Sequence, residues 1–265
     1  MPQDSKSYED RHAAAAETFR NFSPATEPER IAQSFADRLG PLGSMAFDVV
    51  GAMWSRPQLN RRDRSLLVIA TLAAQARDEE LVAHTGNGLR HGLRPEEVEE
   101  VLLHVAAYAG YPAAMASSRR IDAALRDWLK VEKLPTRMPA VRKSDAERDR
   151  DAAVVRERLA GERSSPMHPA AADALGEVGA ISSRWVFGEI WTREQLSPRD
   201  RSIATLSILI SLGALEELPF YAEVGRRSGL SQDEIEEIAN HLTLYAGAPR
   251  AAQAMQLLQR QRIDG

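Results

Sequence analysis

Glu80 and His84 stand four residues apart in the stretch EELVAHTGNGLRHGL, residues 79–93. On a helix that spacing puts both side chains on one face, on adjacent turns. A carboxylate beside an imidazole favours the charged ring and raises its pKa. It also fixes the ring's tautomer and orientation. Such a pair can give and take a proton near neutral pH. The spacing equally suits an ordinary surface pair, worth a few tenths of a kcal/mol. A near-copy of the stretch, EELPFYAEVGRRSGL (216–230), keeps the carboxylate as Glu217 but carries Tyr221 where the histidine stood.

Other groups could join them. His104 and His241 hold the same place in the two copies, with Tyr108 and Tyr245 one turn on. A histidine kept in both copies of an apolar helix reads first as a hydrogen-bonded core residue. Arg64 and Arg201 lie beside Asp63 and Asp200. They suit an ion pair at a helix start, or a fixed cation facing an anionic substrate. Trp54 and Trp191 read as core or interface aromatics that could also line a pocket, and His12, His91 and His168 have no evident partner. Gly86 and Gly88 each cost on the order of 1 kcal/mol in a helix interior relative to Ala. Gly225 repeats Gly88, which points to helix packing, whereas Gly86 is matched by Glu223 and is peculiar to the first copy.

These residues sit in a tandem repeat. LNRRDRSLLVIATLAAQARDEEL (59–81) aligns with LSPRDRSIATLSILISLGALEEL (196–218) at an offset of 137 (196 minus 59). The same offset carries EEVEEVLLHVAAYAGYP (96–112) onto DEIEEIANHLTLYAGAP (233–249) without a gap. Two domains are expected, residues 1–135 and 136–265, joined by the polar, proline-bearing stretch VEKLPTRMPAVRKSDAE (131–147). Each copy reads as all-helical. Asn60 and Ser197 are N-caps, and Gly92 is a C-terminal stop. Ser231 with Glu234 makes a capping box. The run SLLVIATLAAQA (65–76) is apolar nearly all round, as a central buried helix is. No segment alternates with period two, so a sheet is not expected.

Composition removes several function classes. Among the 265 residues there is no cysteine, so thiol redox chemistry and cysteine metal sites are excluded. The net charge of -4 comes from mixed signs without a basic block, which argues against nucleic acid. The opening MPQDSKSYEDRH is not a secretory signal, and no apolar run reaches the ~18 residues of a membrane span. A cytoplasmic protein without membrane association is the expectation. HExxH, phosphate-binding and dinucleotide-binding patterns are absent, as is G-x-S-x-G, although loose serines stand near residue 165. A site with no metal and no cofactor is the simplest inference.

The repeat unit resembles the carboxymuconolactone decarboxylase family, which includes the alkylhydroperoxidase D-like proteins. The likeness is carried by W-S-R-P-x-L before RDRS, by EELVAHTGNGLRHGL, and by EEVEEVLLHVAAYAGYPAAMAS; FGEIWTREQL (187–196) matches in the second copy. The resemblance implies two all-α repeats packed as a pseudo-dimer, and a homo-oligomer, since single-unit members form trimers or hexamers. In the hydroperoxidase-like branch a C-x-x-C motif precedes the helix histidine; here those cysteine positions are Arg77 and Glu80. The decarboxylase-like branch has E-L-x-x-H, which Glu80-Leu81-Val82-Ala83-His84 fits.

That branch decarboxylates an unsaturated lactone without a cofactor. By resemblance His84 is the proton donor, with Glu80 orienting and charging it, and an arginine or backbone donors hold the oxyanion. One active pocket per chain is expected near these two residues. Arg64, His104, Tyr108, Trp54, Tyr221 and Glu217 are its candidate substrate-binding residues. The substrate class implied is a carboxylated lactone or a β-keto-acid-like small molecule. A non-catalytic tandem scaffold and a lactone hydrolase are the alternatives.

Overall fold

A computed structural model describes residues 7–135, 142–160 and 175–264. His168 and part of the expected connector lie outside the described residues, as do the serines near residue 165. The described residues contain helices and no strand. They divide into two compact units, Met1–Arg61 and Arg62–Gly265.

The first unit holds α1 (Tyr8–Phe22), α2 (Pro28–Leu39) and α3 (Pro41–Trp54). Ser7 starts α1 with a reciprocal capping box to Asp10. Its core is aromatic. Phe19 stacks on Phe47 at 4.7 Å and meets Phe35 edge-on, and Phe22 meets Trp54 edge-on at 4.8 Å. Gly51 lets α3 close on α1, because a Cβ there would overlap the backbone of Ala15.

The second unit is built on two buried helices, α4 (Arg61–Ala74) and its repeat equivalent α10 (Pro198–Leu212). From Asp63 to Ala74 every residue of α4 is buried, as is every residue of α10 from Asp200 to Ser211. After α4 come α5 (Asp78–Arg90), α6 (Pro95–Tyr108) and α7 (Tyr111–Leu129). In the second copy α8 (Asp145–Ala160) and the short α9 (Gly176–Ser182) lead into a π-helical turn, Ser183–Phe187. A 3-10 turn (Ile190–Thr192) precedes α10, and another (Leu215–Glu217) precedes α11 (Leu218–Arg227); α12 (Gln232–Leu242) and α13 (Ala248–Asp264) follow. The π turn has no signal in the sequence pattern.

The sequence punctuation is realised in matched pairs. Gly92 and Gly229 take φ +101° and +98°, a conformation that favours glycine. At both ends the chain folds back in a Schellman motif, Leu93 N donating to Gly88 O and Leu230 N to Gly225 O, each at 2.9 Å. Ser197 and Ser231 cap α10 and α12.

The compact units are not the two copies. The break falls after Arg61, at the start of α4, and the copies bond to each other across a shared seam from residue 62 onward.

Candidate functional site

The seam is one bonding pattern written twice. Arg62 donates to Asp200 at 3.0 and 3.1 Å and to Glu97 at 2.8 Å. Its repeat equivalent Arg199 donates to Asp63 at 2.8 Å and to Glu234. Asp63 and Asp200, and Glu97 and Glu234, are equivalent in the same register. This is the geometry of a self-complementary dimer interface, held within one chain.

Deeper in, Arg64 lies 2.9 Å from both Glu237 and His241. Arg201 lies 3.1 Å from Glu100 and 3.0 Å from His104. Both arginines are sealed, at 0% and 1% exposed. Arginine can only donate, so each facing ring nitrogen must accept and each imidazole is neutral. For His104 the acceptor is Nε2, which puts the proton on Nδ1, 3.2 Å from the Thr205 hydroxyl. Burial, with Arg201 adding, holds the His104 pKa well below its ordinary value. His241 turns Nδ1 toward Arg64 instead. The copy-one equivalent of Thr205 is Val68, which offers no hydroxyl.

Arg64 and His104 therefore stand inside the seam, where they fix the helices that carry the exposed-side groups. Glu100 and Glu237 were not singled out in the sequence. Their signal was there, since each precedes its histidine by four residues in both copies.

One turn beyond each seam histidine stands a tyrosine facing the other copy. Tyr245 stacks on His241 at 5.6 Å and meets His84 edge-on at 5.5 Å. Tyr108 stacks on His104 at 6.0 Å and meets Tyr221 edge-on at 5.4 Å. His84 and Tyr221 thus hold the same place in two pseudo-symmetric sites.

His84 is half-buried. Burial pushes its pKa down to about 4, with His91 adding to the shift, so the ring is neutral at pH 7. His91 is itself held, with Nδ1 2.8 Å from the Ser65 hydroxyl. The sequence led to the opposite sign, a ring charged by Glu80. Glu80 is exposed, and a solvated carboxylate is screened while the loss of water around the ring is not.

At the Tyr221 site the structure has a cavity of about 220 Å³. Ala107, Leu209, Val186 and Phe187 form apolar walls, and Tyr108, Tyr221, Glu217 and Arg156 supply polar groups. Trp191 Nε1 donates to the Tyr108 hydroxyl at 2.9 Å, and Tyr108 donates to Tyr221 at 3.0 Å. The expected pocket was to lie beside Glu80 and His84; neither residue lines this cavity. Of the sequence candidates, Tyr108, Tyr221 and Glu217 come together here. Trp54 belongs to the first unit and packs there against Phe22. Arg156 was missed, because in DAAVVRERLA it reads as one solvated charge among several.

The sequence matches one family model twice, once in each copy. The carboxymuconolactone decarboxylase family matches residues 43–123 and again residues 177–260. The chain belongs to this family. With no cysteine it is a tandem member lacking the C-x-x-C motif. Among carboxymuconolactone decarboxylase relatives, it is 36% identical over 75 residues to 4-carboxymuconolactone decarboxylase of Acinetobacter baylyi, covering 28% of this chain and 56% of that protein. It is 37% identical over 65 residues to nitrosuccinic acid decarboxylase npaB of Metarhizium robertsii, covering 24% of this chain and 46% of that protein. The chain thus spans about half the length of these curated relatives. Among the described residues no helix is long and apolar enough to cross a membrane, and no cluster of His, Asp and Glu is arranged to hold a metal ion.

Proposed function

We propose that this protein is a cofactor-independent decarboxylase of small carboxylic acids, with His84 as the proton-transfer residue. The observation that carries the reading is the E-L-x-x-H sequence at 80–84 in a chain of this family, with its imidazole held neutral by burial. Both relatives are named as decarboxylases, one of a carboxylated lactone and one of a nitro acid, and a conjugated lactone carbonyl or a nitro group can each serve as an electron sink.

The chemistry follows from that shared feature. The bond to the carboxylate carbon breaks, carbon dioxide leaves, and the electron pair delocalises onto the lactone carbonyl or its equivalent. The resulting carbanion takes a proton from His84, and water resupplies it. A neutral imidazole is too weak an acid for this step, so His84 must take up a proton from solvent as the substrate binds. The substrate's own carboxylate supplies that change, because a nearby anion stabilises imidazolium and raises its pKa. Proton donation is thereby tied to substrate binding. Glu80 stands one turn before His84 on the same helix, at the solvent side. A half-buried site also weakens hydration of the carboxylate, which favours its loss.

The copies 1–135 and 136–265 are on this reading an active and a degenerate domain, and chains associate into a homo-oligomer in the cytoplasm. A lactone or β-keto acid bearing a carboxylate is the substrate class. The test is carbon dioxide release from 4-carboxymuconolactone and from nitrosuccinate, with His84→Ala as the control. A non-catalytic scaffold would release none from either, and a lactone hydrolase would open the ring without gas.

A further inference from the structure

We propose that the second copy holds a ligand site of its own, for a small hydroxy- or keto-carboxylic acid. Its carboxylate is taken by Arg156 and its oxygen substituent by the Tyr221 hydroxyl. The site is the cavity of about 220 Å³ between α6, α8, α10, α11 and the π turn. An apolar cavity of roughly 150 Å³ is enough for benzene. This one therefore has room for a single ring or a short chain with a carboxylate.

The polar groups are arranged to recognise rather than to fill. Trp191 N–H can only donate, so the Tyr108 oxygen accepts from it. Tyr108 then donates to Tyr221, which leaves the Tyr221 hydrogen for another acceptor. No hydrogen bond joins Tyr221 to Glu217 among the described residues, although both line the cavity. Tyr221 is 3% exposed, and burial raises its pKa well above the ordinary value. It is a fixed donor that does not ionise.

Arg156 brings a cation to the same wall. Its Nε is shielded from water and has no hydrogen-bond partner among the described residues. A guanidinium in that position suits a carboxylate, which it binds with two parallel bonds. Glu217 also lines the cavity, and among the described residues it forms no ion pair with Arg156. It favours a ligand that has a hydroxyl to donate and disfavours a second carboxylate at that end. Where DRHAAAAETF (10–19) loosely matches DRDAAVVRERL (149–159), the first copy has Glu17 at the place of Arg156 and so lacks this cation. Loss of the histidine and gain of the arginine convert a proton-transfer site into a binding site.

The test uses the full chain with salicylate as probe and benzamide as the uncharged control, read by calorimetry and by ring-proton NMR. Saturable salicylate binding is expected, with benzamide at least tenfold weaker. Arg156→Gln should weaken salicylate at least tenfold and Tyr221→Phe about threefold or more. Ser182→Phe, a half-buried cavity residue, should block binding while circular dichroism stays unchanged. His84→Ala should leave the affinity unaltered, which separates this site from the decarboxylase assignment. Absence of saturable binding, equal affinity in Arg156→Gln, or loss of binding in His84→Ala overturns the proposal.

Discussion

The Arg201 guanidinium donates to His104 Nε2 at 3.0 Å across the two halves of the chain, and Arg64 does the same to His241 at 2.9 Å. A buried cation thus locks each imidazole in the neutral state and ties each copy to the other. Removing one charge strands its partner. Glu100→Gln leaves Arg201 and Arg193 without their shared carboxylate, which they meet at 3.1 and 2.6 Å. Breaking a buried pair by one partner costs about 3–5 kcal/mol. Urea unfolding should show that loss, and the double variant Arg64→Met with Glu237→Gln should be less destabilised than Arg64→Met alone.

The Thr205 hydroxyl is the acceptor that sets the His104 tautomer. Thr205→Val reproduces the Val68 environment of the other copy and leaves the buried Nδ1–H unsatisfied. The expected cost is about 1–3 kcal/mol. An unchanged unfolding midpoint would mean that the ring does not depend on this bond.

Acid should destabilise the fold through histidine. His84 is pushed down to about 4 and His104 well below its ordinary value. Their unfolded pKa is near 6.5. Between those values the unfolded chain binds more protons, so their contribution is full above about pH 6.5 and falls as pH drops toward about 4. Stability measured across that window should decline on the acid side. NMR titration should place the His84 midpoint near 4 in the free protein and higher when a carboxylate inhibitor is bound.

The two glycines of α5 should respond oppositely. A Cβ at Gly88 would meet Ile69 Cδ1 at 2.8 Å and Leu93 Cδ1 at 2.9 Å, so Gly88→Ala should destabilise by about 1–3 kcal/mol. At Gly86 the added carbon meets only the Arg90 side chain, at 3.8 Å. Gly86→Ala should therefore stabilise the helix by up to about 1 kcal/mol. If it also raises KM, the substrate passes over this face of α5.

The repeat, the helices and many of their ends were legible because they are local. Ser231 caps with Glu234 three residues on, and Gly92 stops its own helix. The seam was not legible, because Arg64 and His241 lie 177 residues apart and each looks complete beside its near neighbours. Periodicity put Glu80 and His84 on one face but could not say how that face meets water, so the sign of the imidazole shift came out reversed. The cavity was hidden for a different reason. It needs a π turn and an arginine from α8, and neither stands out from its surroundings in sequence.

Carbon dioxide release from 4-carboxymuconolactone, followed in the wild-type chain and in His84→Ala with helicity monitored in parallel, tests the central assignment most directly. Gas evolution that falls at least a hundredfold in the folded variant is the predicted result. Equal evolution in the variant would contradict the role of His84, and none in the wild type with either 4-carboxymuconolactone or nitrosuccinate would contradict the decarboxylase itself.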